Sequence, residues 1–264
     1  MLVLLKPNYD ELSAEAARIV AHAVRSNPLI TMGLATGSTT IGMYAELARL
    51  HREEALDFSN VTTFNLDEYL GLSPEHPQSF HFFMRENFFS KINADLEKIH
   101  IPDGKIPGNY EDYCASYEQA IRQAGGIDLQ ILGIGRNRHI GFNEPASSLG
   151  SRTRLKALTR ETIEDNRKFF APGEEVPQCA ITMGIGTILE ARKILILARG
   201  PAKAQAVAQA IEGPLTASLT ASALQLHPEV TFVLDEAAAS QLKQQDYYRR
   251  VMHLTARLTP ERLS

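Results

Sequence analysis

Cysteine is scarce in this chain: Cys114 and Cys179 are the two that occur, and they form no Cys-x-x-Cys pair. That excludes a disulfide framework and a thiolate metal centre, and it fits a reducing compartment, the cytoplasm. Long apolar runs are also missing. The opening stretch, Met1 to Lys6, is too short for a secretory signal, and no later segment approaches the ~18 consecutive apolar residues of a membrane span. Neither secretion nor membrane attachment is expected. There is no basic excess, with 27 Lys and Arg against 31 Asp and Glu and a formal charge of −4. Nucleic acid is therefore not an expected partner, and any anion site must be local. The eight histidines are scattered without His-x-x-x-His or Cys/His ligand spacing, so no metal is expected. His76 and His81, the nearest pair, read as structural or lining residues. A Gly-x-Ser-x-Gly nucleophile elbow, internal repeats, low-complexity tracts and linkers are all absent, and residues 1–264 read as a single domain.

What remains is an ordinary globular balance, 44% apolar and 22% charged. Short β-rich runs alternate with helical patterns from end to end. Leu2–Leu5, Leu29–Ala35, Val61–Leu66, Leu129–Gly133, Arg152–Leu158, Lys193–Ala198 and Val230–Leu234 read as strands. Helical spacing marks Tyr9–Ser26, Ile41–His51, Tyr110–Gln123, Gly186–Ala191, Ala202–Ile211 and a closing stretch near Tyr247–Leu258. This alternation predicts an α/β fold, a mostly parallel open sheet with helices on both faces, Rossmann-like in plan. Residues 73–107 break the pattern with prolines and Phe80, Phe82, Phe83, Phe88 and Phe89, and read as a helical, lid-like excursion. A decoration that only packs is the alternative.

Each chemistry-bearing string lies just after a predicted strand, where open α/β sheets bind ligands. In Thr36-Gly37-Ser38-Thr39-Thr40, Gly37 allows a tight turn and the amides that follow can meet a phosphate at a helix N-terminus. The same string also reads as a plain Ser/Thr helix cap. It lacks the lysine of a nucleotide P-loop. In Asn65-Leu66-Asp67-Glu68-Tyr69, two adjacent acids on extended chain point to opposite sides. Asp67 in the crevice suits a general base while Glu68 pairs structurally; two solvated loop acids are the plainer reading. The Gly133–Pro145 loop brings glycines, His139, which can titrate near neutrality, and Glu144, which can orient it. Lys203, at the start of a helix, opposes the helix dipole unless an anion lies near, and reads either as a phosphate ligand or as a solvated lysine.

Taken in order, these strings resemble the glucosamine-6-phosphate deaminase family, in the superfamily that also holds the 6-phosphogluconolactonases. Further matching pieces are Ser151-Arg152-Thr153-Arg154, Thr182–Thr187 and Leu224-Gln225-Leu226-His227-Pro228, with Phe142-Asn143-Glu144-Pro145 the most specific. The resemblance implies conversion of glucosamine 6-phosphate and water to fructose 6-phosphate and ammonia, in amino-sugar catabolism and without a cofactor. It implies phosphate ligands Gly37, Ser38, Thr39, Lys168 and Lys203. Asp67 would be the base, and His139, supported by Glu144 and oriented by Asn137, the ring-opening group. It further implies a homo-oligomer, a hexamer, activated by N-acetylglucosamine 6-phosphate bound between subunits at Ser147, Arg154, Lys156 and Tyr247.

This chain departs from the family pattern at three positions. Asn137 replaces an acid found in some members. Lys168 replaces an arginine, keeping charge but not bidentate geometry. Arg138 replaces a glycine. If that glycine has positive φ, arginine costs about a kcal/mol or more, and its side chain is expected to crowd the sugar. A non-catalytic sugar-phosphate sensor disabled by Arg138, and a 6-phosphogluconolactonase, are the competing readings.

Overall fold

The computed structural model describes residues 1–106 and 108–258, so Pro107, the last residue of the expected excursion, lies outside the described residues. In chain order the elements begin β1 (Leu2–Lys6), α1 (Tyr9–Ser26), β2 (Thr31–Leu34), α2 (Ile41–Glu54), β3 (Thr62–Asn65) and β4 (Asp67–Tyr69). Then come α3 (Phe80–Asn87), β5 (Ile99–His100), α4 (Tyr110–Gln123), β6 (Leu129–Gly133), β7 (Arg154–Ala157) and α5 (Arg160–Arg167). The chain continues through β8 (Cys179–Thr182), α6 (Ile185–Leu189), β9 (Lys193–Ala198), α7 (Ala204–Glu212), β10 (Val230–Asp235), α8 (Glu236–Ala239) and α9 (Gln245–Leu258).

Seven strands form one parallel sheet in the order β1-β10-β9-β6-β2-β3-β5. Successive residues of β2 and β9 are buried, which requires cover on both faces and explains why these strands read as unbroken apolar runs. Helix α1 shows how the cover is made. Asn8 caps it by accepting the Glu11 N–H at 2.9 Å, and Leu12, Ala16, Val20 and Val24, one helical turn apart, form its buried stripe. A fully enclosed side chain such as Leu12 contributes about 1.5–3 kcal/mol by burial.

The sheet order decides where the site lies. From β2 the chain runs outward to β3, whereas from β6 it runs the other way to β9, so the β2–β6 boundary is a switch point. Crossovers on either side of such a boundary leave a crevice at the strands' carboxyl ends.

Three expectations change. The strand read as Val61–Leu66 and running on into Asp67 is broken at Leu66. The Leu66 N–H bonds Leu34 O at 2.9 Å in the large sheet, while its carbonyl accepts the Met183 N–H at 2.7 Å. Leu66 thus carries the chain from one sheet to another, and Asp67 opens β4 in a small antiparallel sheet, β4-β8-β7. The strand read at Arg152–Leu158 is β7 in that second sheet. Its alternating pattern of exposure fits a sheet covered on one face only. The 73–107 excursion divides. Residues 77–80, Phe83 and Asn87 border the crevice, but Phe88 turns inward and stacks on Tyr44 at 4.8 Å, and Ile99–His100 adds an edge strand to β3. Beyond α3 the segment packs rather than covers.

Candidate active site

Four consecutive strands of the large sheet, β9, β6, β2 and β3, are each followed by a site loop. They deliver Lys203, the Gly133–Pro145 loop, the Thr36–Thr40 loop and Asp67 to one cavity of about 650 Å³. Gly37, Ser38, Thr39, Asp67, Asn137, His139, Lys168 and Lys203 all line it. Glu144 stands behind His139, 1% exposed.

The phosphate-loop reading gains against the helix-cap reading. Gly37 has φ +113°, a turn only glycine adopts readily. Thr40 sits at the cap of α2, yet its hydroxyl donates back to Gly37 O at 3.0 Å rather than capping the helix, so the amides of the first turn are not taken by their own cap residue. Tyr9 braces this loop, a residue that sequence reasoning passed over as a helix start. Its hydroxyl donates toward the Ser38 and Thr39 carbonyls at 3.1 and 3.2 Å and accepts the Gly42 N–H at 2.8 Å. The Arg199 guanidinium lies over its ring at 4.0 Å, joining this loop to the one that carries Lys203. No local sequence signal marks these contacts. Lys203 is held below the usual lysine range, first by burial and then by the cations Arg136 and Lys168, while Asp165 opposes them. Such a cluster of cations beside a helix N-terminus is an anion site in its charge pattern.

At the other loops the chemistry is acid–base. Asp67 accepts no side-chain hydrogen bond among the described residues, and burial, followed by the charge of Glu68, pushes its carboxyl up to about 8. His139 Nδ1 stands 3.4 Å from Glu144 Oε2, a long contact compared with an aligned hydrogen bond. Glu144 itself is firmly held: Asn137 Nδ2 donates to Oε2 at 2.8 Å and the Thr159 N–H to Oε1 at 3.2 Å. Burial works to raise Glu144, but bonds and charge from His139, Thr162 and Thr159 outweigh it and hold the carboxyl at about 2. Asn137 thus orients both partners, because its carbonyl also takes the His139 backbone N–H at 3.3 Å. Gly135 has to be glycine for a packing reason: a Cβ there would lie 2.5 Å from His139 Nε2.

Arg138 has φ +73°, so the strain anticipated for this position is present. The anticipated crowding is not. Arg138 is absent from the lining of the large cavity and instead borders a neighbouring hollow with Arg136, Glu161 and Gln205. Arg138 therefore stands beside the large cavity and not in its wall.

Within one chain the residues expected to bind an activator between subunits lie on separate elements. Ser147 is buried, and Arg154 turns inward, its Nη1 donating to Asn143 Oδ1 at 2.9 Å. Arg154 and Lys156 lie on β7, which packs on β8 and α4, whereas Tyr247 lies on α9, which packs on β1. A second unforeseen contribution comes from Thr162, Asp165, Asn166, Phe169 and Phe170, on and just after α5, which wall the cavity.

The family model for glucosamine-6-phosphate isomerases/6-phosphogluconolactonase matches residues 7–233. The chain belongs to this family. A curated glucosamine-6-phosphate deaminase of Thermoanaerobacter pseudethanolicus is 51% identical over 246 residues, 93% of this chain and 97% of its own length. The corresponding protein of Halothermothrix orenii is 52% identical over 242 residues, 92% of this chain and 100% of its own length. A solved structure described as a monomeric glucosamine-6-phosphate deaminase superposes with a TM-score of 0.89 at 46% identity, covering 91% of this chain and 100% of its own. The 6-phosphogluconolactonase of Trypanosoma brucei, with a TM-score of 0.71 at 20% identity over 91% of this chain and 98% of its own, shares the fold. Among the described residues, no helix is long and apolar enough to cross a membrane.

Proposed function

We propose that this family member converts glucosamine 6-phosphate and water to fructose 6-phosphate and ammonia. One observation carries the reading: Asp67 and the Glu144-backed His139 open onto the cavity that Gly37, Ser38, Thr39, Lys168 and Lys203 also line. A sugar phosphate anchored on those amides and cations brings its reacting carbons to an acid–base pair, and such anchoring converts binding into orientation. His139 passes a proton to the ring oxygen and opens the pyranose. Asp67 then takes the proton from carbon 2 and returns it to carbon 1, while a proton lost by the nitrogen is gained by the carbon 1 oxygen, leaving an alcohol at carbon 1 and an imine at carbon 2. Water adds to the imine, its oxygen becomes the ketone oxygen, and the nitrogen leaves as ammonia. The adjacent aldehyde acidifies carbon 2, so the chemistry calls for no cofactor, and each positioned proton-transfer group supplies typically ~10²–10⁴-fold.

The finer expectations belong to the same proposal. They are a single domain over the whole chain, a cytoplasmic location, and a homo-oligomer, a hexamer, activated by N-acetylglucosamine 6-phosphate through Ser147, Arg154, Lys156 and Tyr247. The free thiols of Cys114 and Cys179 support the location. The oligomer has against it the relative described as monomeric. Light scattering of the purified protein decides assembly, and rate curves with and without the activator decide regulation.

The deciding experiment follows ammonia and fructose 6-phosphate together from glucosamine 6-phosphate, with Asp67→Asn alongside. Equal release of both, lost in the variant, is expected. Binding without turnover would make the chain a sensor, and hydrolysis of 6-phosphogluconolactone in its place would make it a lactonase.

A further inference from the structure

Strand β4 carries two adjacent acids, and only Asp67 lines the cavity. Glu68 points the other way and is 1% exposed, yet its carboxylate is well supplied with donors. Oε1 accepts the Tyr69 N–H at 2.8 Å, and Oε2 accepts those of Phe80 at 2.8 Å and His81 at 3.1 Å. The last two are opening amides of α3, so the side chain spans from the strand of the base to the helix beside the cavity. What it holds is aromatic. The Phe80 ring lies 5.0 Å from Tyr69 and stacks on Phe142 at 6.0 Å, and all three line the cavity. A serine or asparagine suffices to cap a helix, and Ser79 already does so by accepting the Phe82 N–H at 3.0 Å. A buried carboxylate at this point therefore calls for a further reason, since its desolvation is costly unless its charge is used.

We propose that Glu68 is a positioning residue of the reaction, fixing α3 and Phe80 across the cavity and holding the negative charge against which its neighbour Asp67 must ionise. The proposal rests on the reading of Asp67 as the base. Burial raises both carboxyls, Glu68 to about 7 despite its three donors and Asp67, which accepts none among the described residues, to about 8, with the charge of Glu68 adding to the rise of Asp67. Other charged and titratable groups around the pair are accounted for. From its own strand Tyr69 stays neutral, and from α4 so does Tyr117. His81 of α3 turns its ring to Pro102 O, and burial holds it below the usual histidine range. Asp103, after β5, adds a weaker push on Glu68 in the same sense. On the site's other side, His139 is backed by Glu144, and Arg154 of β7 is engaged with Asn143.

The test measures kcat and KM for glucosamine 6-phosphate from pH 5 to 9 in the whole chain and in Glu68→Gln, Glu68→Asp and Asp67→Asn. Glu68→Gln removes the charge and keeps the reach, and it is expected to move the acid limb of kcat/KM down by about one pH unit. Glu68→Asp keeps the charge but falls a methylene short of α3. It is expected to leave that limb in place and raise KM by about tenfold. An unmoved acid limb in folded Glu68→Gln overturns the charge role, and a wild-type KM in Glu68→Asp overturns the positioning role. Should Glu68→Gln fail to fold, Glu68→Ser replaces it as the uncharged variant, an unmoved acid limb there overturning the charge role, while Glu68→Asp still decides the positioning role. Asp67→Asn keeps the two readings separate. If it turns over, the base assignment has failed; if it is dead while both Glu68 variants match wild type, only the present proposal has failed.

Discussion

Replacing Arg138 by glycine should make the protein slightly more stable and leave its chemistry alone. Arg138 holds φ +73°, where an L side chain costs about 1–2 kcal/mol through the close approach of Cβ to the backbone. Glycine removes that cost but returns about 0.4–1 kcal/mol by loosening the unfolded chain. The balance is a gain of roughly 0.5–1 kcal/mol, which for a chain of this length corresponds to a rise in Tm of about 1–4 °C. The turn itself persists, because the Arg138 N–H bonds Gly135 O at 3.0 Å and its carbonyl accepts the Ala221 N–H at 3.1 Å, bonds that glycine keeps. Activity should change by less than about threefold, since the guanidinium borders the hollow with Glu161 and Gln205 and not the sugar cavity. Arg138→Ala separates the two contributions: it removes the side chain but retains the strained Cβ, so it should show no gain in Tm. Thermal unfolding and kcat/KM for the three proteins give the answer. A fall in Tm for Arg138→Gly, or a tenfold change in kcat/KM, would refute the reasoning, because either would mean the guanidinium supports the loop or meets the substrate.

Asp67→Asn should lower kcat by at least ~10²-fold and also raise Tm. A carboxyl whose folded pKa lies above its unfolded value weakens the fold as pH rises between the two, so the Tm advantage of the variant should widen from pH 4 to 8; a constant gap would contradict the raised pKa. Lys203→Ala should raise KM ten- to a hundredfold, about the worth of a charge-assisted hydrogen bond, and weaken competitive inhibition by inorganic phosphate in step. Phosphate inhibition unchanged in that variant would remove Lys203 from the anion site. Arg154→Ala leaves the fully buried Asn143 without its Oδ1 donor and should cost about 1–3 kcal/mol in urea unfolding, with Arg154→Lys restoring part of it.

Much of this architecture was legible in the sequence. Unbroken apolar runs ended by glycine or Ser/Thr turns mark parallel strands buried on both faces, and six of the seven strands read this way enter the large sheet; the stretch at Arg152–Leu158 belongs to the small one, and the half-buried edge strand Ile99–His100 carries no such run. The opposed directions of Asp67 and Glu68 follow from the twofold period of an extended chain, and the structure places one in the cavity and the other on α3. Gly37 and Lys203 were recognisable because their types are unusual for where they stand, after a strand and at a helix start.

Other features depend on contacts between distant residues, to which local pattern is blind. The break at Leu66 exists because Leu34 and Met183 claim its two backbone groups from different sheets. Tyr9 reaches Ser38 and Gly42 only once β1 and β2 are set in their sheet, and α5 walls the cavity. The placement of Arg138 is of the same kind. Sequence alone exposed the departure from glycine and the strain it implies, because strain is a property of one residue's backbone. Whether that side chain blocks the sugar depended on where it stands among Glu161, Gln205 and the cavity, and only the folded chain brings those groups together.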